Sequence, residues 1–268
     1  MSLPAIVSRE EWLSARVQLL AREKELTRQL DALNADRRRL PMVRMDKDYR
    51  FDGPQGTVRL RDMFGDSRQL VLQHVMFDPA WEDACPGCTG GLDEVNDGLL
   101  RHLAARQTAF VAVSRAPLAK LQNYADRRGW TFPWYSSGGS DFNYDFGVTL
   151  DPAVAPIHHN YRDEHELRAS SQSHLADGGV HELSGMSCFL RDGDEVFHTY
   201  STFGRGTEQI GGTYGFLDMT ALGRQEDWEE PKGRNETVLP PAPFFEDVAP
   251  SPTRVSAVEI LSKSAPCC

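Results

Sequence analysis

The stretch Gln69-Leu70-Val71-Leu72-Gln73-His74-Val75-Met76-Phe77, followed by Cys85-Pro86-Gly87-Cys88, decides the fold. Nine residues dominated by apolar side chains read as a buried strand. A Cys-x-x-Cys turn that leaves such a strand and opens a helix brings two thiols within disulfide reach. It also sets the first of them where free backbone N–H groups and the helix dipole favour a thiolate.

Downstream, the order of elements repeats that logic. Leu92, Val95, Leu99 and Leu103 give one helix face, and Thr108 to Ser114 gives a second buried strand. Leu118, Leu121 and Ala125 mark another helix that Gly129 ends, after which Phe132-Pro133-Trp134-Tyr135 reads as a short edge strand. Cys188 to Tyr200 alternates on both sides of Asp192-Gly193, a hairpin signal, so the sheet is expected to close with an antiparallel pair. Short strands alternating with helices predict an α/β domain with a largely parallel sheet. Residues 151–182, polar and rich in histidine, read as an insertion with one helix around Glu164 to Ala176.

Upstream, Ser8 and Glu11 form a capping-box signature, and Trp12, Leu19, Leu26, Leu33 and Leu40 recur at sevenfold spacing until Pro41. A long amphipathic helix follows, which lies on its own domain or pairs with a second chain in a homodimer. The chain divides into an N-terminal helical arm (1–45), an α/β domain (46–225) and a tail (226–268) containing Pro240, Pro241, Pro243, Pro250 and Pro252 and ending in Cys267-Cys268.

Composition excludes several classes. With a formal net charge of -10 the surface repels a phosphate backbone, so nucleic acid is not an expected partner. Arg37-Arg38-Arg39 is the local exception, and a helix end suits it. The sequence has neither a run of about 18 apolar residues, as a membrane span needs, nor a basic-then-apolar leader, which predicts a cytoplasmic protein. Five cysteines in 268 residues are too few and too unevenly placed for a secreted disulfide scaffold. Chemistry, rather than stapling, is the expectation for Cys85 and Cys88.

The spacing alone leaves three readings open. A redox dithiol is one; half of a zinc site, completed by Cys188 or by His158, His159, His165, His174 and His181, is another; an inert pair is the third. No histidine set has clean ligand spacing, and neither a metal nor a cofactor is expected. His74, near the end of the first strand, is a candidate base, weighed against an internal histidine satisfied by hydrogen bonds. The aromatic run that includes Trp130, Trp134 and Tyr144, with Trp81 upstream, is a candidate wall for a small-substrate pocket, weighed against packing of an irregular loop. Cys267 and Cys268 form a candidate resolving tail, weighed against an incidental one, and Cys188 reads as a small buried hydrophobe.

Strand, CxxC, helix, strand, helix and hairpin is the thioredoxin order. Together with Val7-Ser8-Arg9-Glu10-Glu11-Trp12, Lys47-Asp48-Tyr49-Arg50-Phe51-Asp52-Gly53, Val113-Ser114-Arg115-Ala116-Pro117-Leu118, Gly129-Trp130-Thr131-Phe132-Pro133-Trp134, Ser140-Asp141-Phe142-Asn143-Tyr144-Asp145-Phe146-Gly147 and Phe197-His198-Thr199-Tyr200-Ser201-Thr202, it resembles the bacterial family catalogued as domain of unknown function 899. The resemblance covers roughly residues 5 to 225. It implies a thioredoxin-like fold and a dithiol-disulfide oxidoreductase, with Cys85 as nucleophile and Cys88 as resolving thiol. Two departures from thioredoxin stand out. Leu183-Ser184-Gly185-Met186-Ser187 has no proline where thioredoxins carry a cis-proline, and Ala84 with Pro86-Gly87 replaces the usual tryptophan and Gly-Pro order. These tilt the expected substrate toward a small-molecule disulfide or a peroxide, with a thiol reductant or oxidant as the exchange partner.

Overall fold

The computed structural model describes residues 4–221, 228–230 and 232. The expected tail, with Cys267 and Cys268, lies almost wholly outside the described residues.

Helix α1 (Arg9–Arg39) starts with the expected capping box: the Ser8 hydroxyl accepts the Glu11 N–H while the Glu11 carboxylate accepts the Ser8 N–H. Glu10 and Glu11 at its start and Arg37, Arg38 and Arg39 at its end complement the helix dipole. Its 31 residues, about 46 Å at 1.5 Å per residue, bury no side chain, and Trp12, Leu13, Val17, Leu19, Leu26 and Leu33 remain exposed.

The sheet follows. Strand β1 (Val43–Arg44) leads to the hairpin β2 (Arg50–Gly53) and β3 (Gly56–Arg59), then to β4 (Gln69–His74). After the dithiol come α2 (Pro86–Asp93), α3 (Asp97–Ala104), β5 (Thr108–Ser114), α4 (Leu118–Arg128) and β6 (Trp134–Ser136). The one helix expected from Leu92 to Leu103 is two. The chain breaks at Glu94–Asn96, and the Asn96 side chain accepts the N–H groups of Gly98 and Leu99 to start α3 anew. Gly129 ends α4 as expected, in the left-handed conformation (φ 70°) that glycine adopts without strain.

The insertion holds α5 (Phe142–Asp145), β7 (Thr149–Leu150), the small hairpin β8 (His158–His159) and β9 (Arg162–Asp163), α6 (Glu164–Arg168) and β10 (His181–Glu182). Its expected helix through Ala176 stops at Arg168 and resumes only as a 3-10 turn, Ser173–Ala176. The long hairpin β11 (Gly185–Asp192) and β12 (Glu195–Phe203) comes next, and α7 (Gly212–Leu217) follows it.

Eight strands pair in the order β1-β12-β11-β4-β5-β6-β2-β3. Strands β4, β5 and β6 are parallel, and β11 runs antiparallel to β4 and to β12. The inner order β12-β11-β4-β5, with helices crossing between β4 and β5, is the thioredoxin-like arrangement. Strand β6 is not an edge: it lies between β5 and β2, because the β2–β3 hairpin adds itself beyond it. Nor does the final hairpin close the sheet, since β1 pairs outside β12.

Alternation divides the core between the two faces. Val75, Phe77, Phe110 and Ala112 pack with Cys88, Leu92, Leu121 and Trp134 on the face covered by α2 and α4. Leu70, Leu72, Val111 and Val113 pack with Phe51, Phe64, Phe142 and Phe189 on the other.

Candidate active site

The dithiol sits where β4 hands the chain to α2. Cys85 is the N-cap residue and Pro86 occupies the first turn, whose N–H groups need no intrahelical partner. The Cys85 N–H donates to the Met76 carbonyl at 2.9 Å, closing the base of the intervening loop. Its carbonyl accepts both the N–H and the hydroxyl of Thr89, at 2.9 and 3.1 Å. With that hydroxyl proton committed, Tyr124 donates its own to Thr89 at 2.9 Å, tying the first turn of α2 to α4.

Both thiols are free. The half-buried Cys85 thiol is pulled down to about 6, foremost by a hydrogen bond from Cys88 and further by the N–H groups of Cys88 and Gly87, against the opposing effect of burial. Cys88, buried in the core, is pushed well above the ordinary thiol range because it donates to Cys85 and lacks solvent. Such a pair, one thiol held low beside one held high, suits the first to nucleophilic attack near neutral pH and the second to supply a proton.

The other sequence-derived candidates disperse. His74 is on the wrong face for a base: it shares the side of Leu70 and Leu72, stacked on Phe142 with ring centroids 5.6 Å apart, whereas the dithiol helix covers the Val75 side. Its Nε2 meets Ser187 Oγ at 2.8 Å, in a chain that continues through Ser201 to His198, each step 2.7 Å. Burial, with a smaller effect of His198, drops its pKa to about 3, so His74 is a neutral internal histidine.

Trp130 and Trp134 belong to the packed cluster on the dithiol side of the sheet, of which Trp81 and Tyr144 are not members. Trp134 is buried, bonded through its indole N–H to Ser114 Oγ, and Trp130 packs on the same cluster with its N–H on Asp93. Tyr144 accepts a hydrogen bond from Arg115 at 2.8 Å. Trp81, on the loop to Cys85, is the exposed member of the four. Cys188, opposite Val71 and Tyr200, has its thiol raised by burial, in keeping with a small apolar residue. Among the described residues, no group of three His, Cys, Asp or Glu side chains could hold a metal ion.

A polar constellation that the sequence reading missed lies at the same end of the sheet. Arg115 follows β5 and meets Glu182 at 3.1 Å and Asp78 at 3.5 Å. Glu182, buried, bonds through Thr149 to Asn143 and Ser137. Burial raises its carboxyl to about 7 in spite of Arg115. No local pattern announces this network, because its members come from five separate segments. A groove of about 440 Å³, lined by Arg44, Lys47, Tyr49, Arg59 and Glu195 among others, lies at the hairpin-turn end, the opposite end from the dithiol.

The family model described as "Bacterial protein of unknown function (DUF899)" matches residues 1–239. The chain belongs to this family. No curated protein matches it. Solved structures similar to this DUF899 chain include an alkyl-peroxide-reducing bacterioferritin comigratory protein from Xanthomonas campestris, at 15% identity over 64% of this chain and 94% of the other, TM-score 0.41. Peroxiredoxin Q from the same organism shares 15% identity over 64% and 93%, TM-score 0.40. Peroxidoxin BcpB from Mycobacterium tuberculosis shares 18% identity over 64% and 92%, TM-score 0.39. Among the described residues no helix is long and apolar enough to cross a membrane.

Proposed function

We propose that this DUF899 chain is a dithiol-disulfide oxidoreductase acting on a small disulfide or a peroxide. The observation that carries the reading is the divided pair: a Cys85 thiol lowered to about 6 by its Cys88 neighbour, which stays protonated. With a disulfide, the Cys85 thiolate attacks one sulfur and expels the other as a thiolate, and Cys88 then displaces the bound half as the Cys85–Cys88 bond forms. With a peroxide, Cys85 takes one oxygen as sulfenic acid and releases an alcohol or water; Cys88 attacks that sulfur and a water leaves. Either way the chain gives up two electrons, which a thiol reductant restores. The same dithiol runs in reverse if an oxidant partner reloads it.

The exposed Trp81, on the loop before Cys85, supplies an apolar contact for such a substrate, and the absence of a proline before β11 leaves no rigid cradle for an extended peptide. In this reading residues 1–45 form an assembly arm, 46–225 the catalytic domain and 226–268 a tail whose Cys267 and Cys268 could exchange with Cys85. The apolar side chains left open along α1 support pairing with a second copy. A dithiol that a thiol reductant keeps open suits the cytoplasm, and the formal net charge of -10 disfavours nucleic acid.

The test is a glutathione redox titration with alkylation and peptide mass mapping. A reversible Cys85–Cys88 bond with a potential between roughly -120 and -270 mV, together with activity lost in Cys85→Ser, supports the reading. Thiols that never pair, or stoichiometric metal in protein purified without added metal, would move it to a binding scaffold.

A further inference from the structure

The chain runs from the end of β4 to Cys85 through a loop, Asp78 to Ala84, that has few side chains in the core. Inside it, the Asp78 carboxylate accepts the Ala80 N–H at 2.8 Å and the Trp81 N–H reaches the Asp78 carbonyl at 3.0 Å. Further support comes from outside, as cations from one neighbouring stretch. Arg115 meets Asp78, Lys120 meets the carbonyls of Pro79 and Trp81 at 2.9 and 2.7 Å, and Arg127 meets Asp83. Lys120 and Arg127 are two turns apart on one face of α4.

Lys120 differs from the two arginines in what it binds. The arginines hold side chains, which can swing; Lys120 holds two backbone carbonyls, and so fixes the path of the chain itself. An ammonium gathering carbonyls two residues apart replaces the water that would otherwise solvate them and keeps the turn closed.

We propose that Lys120 is a positioning residue for the dithiol, holding the Asp78–Ala84 loop so that Cys85 stays the N-cap of α2 with its sulfur on the N–H groups of Gly87 and Cys88. This deepens the thiol-chemistry reading and rests on it for its biological meaning. The geometry gives the ammonium no direct contact with sulfur; it acts through the loop.

The experiment compares full-length reduced wild type, Lys120→Met and Lys120→Arg in the pH dependence of iodoacetamide alkylation at Cys85, read by peptide mass. In K120M the midpoint moves up by about one pH unit, so alkylation at pH 6 slows roughly fivefold, while K120R, which still donates to both carbonyls, keeps the wild-type profile. A K120M protein with native circular dichroism and an unmoved midpoint overturns the proposal. So does a fall in melting temperature with the midpoint unmoved, the behaviour of a merely structural lysine. Alkylation needs no physiological substrate, so absence of turnover in the redox assay counts against the enzyme reading and leaves this one standing.

Discussion

Cys88 donates its thiol hydrogen to Cys85, and that bond drives two cysteines in one helical turn to opposite ends of the thiol scale. Of these two, Cys85 is the one partly open to solvent, and its thiol is the one lowered to about 6.

Removing the donor therefore weakens the nucleophile without touching it. In Cys88→Ala the Cys85 midpoint should rise by about one unit or more, toward the ordinary thiol range, because the remaining Gly87 and residue-88 N–H groups supply the smaller share. The check is absorbance of the thiolate at 240 nm against pH in the reduced variant. A midpoint unchanged from wild type would assign the lowered value to the helix terminus instead.

Glu182 makes a separate claim on stability. Its folded pKa, about 7, lies above its unfolded value near 4.5, so its contribution is fully present below the unfolded value and is lost as pH rises through 7. Between pH 5 and 7.5 the denaturation midpoint of Glu182→Gln should fall less steeply than that of wild type. Chemical denaturation at four or five pH values measures it, and parallel curves would refute the assignment.

Two tryptophans should answer differently to truncation. Trp134→Ala empties a buried site shared with Phe77 and Tyr124 and should cost about 3–5 kcal/mol. Trp81→Ala, on an exposed side chain, should change stability by less than about 1 kcal/mol while raising KM for an apolar disulfide or peroxide. Urea denaturation and steady-state kinetics on both variants decide the matter; a KM untouched by Trp81→Ala removes that residue from the substrate contact.

Much of the frame was legible along the chain because it is local. The Thr108–Ser114 strand, the stop at Gly129 and the Asp192-Gly193 hairpin rest on periodicity and turn chemistry within a few residues. What misled depends on partners far away in sequence. The aromatic run from Trp130 to Phe146 reads as one cluster, yet the sheet runs through it and sends Trp134 to one face and Phe142 and Phe146 to the other. His74 was readable by a simpler rule. Alternation along β4 puts it with Leu70 and Leu72, away from the side on which a helix after Val75 must lie. Arg115, Glu182 and Asp78 meet only through the fold, and a single sequence has no sign of them.

The core on the dithiol side gives this molecule an indicator of its own. Trp130 and Trp134 share one packed cluster with Cys88, while Trp12 lies out on α1. A disulfide accepts an electron from a neighbouring excited indole more readily than a thiol does, so the two oxidation states should differ in ultraviolet emission. The redox state of the pair would then be visible in the native chain, unlabelled, by the dimming of its own tryptophans.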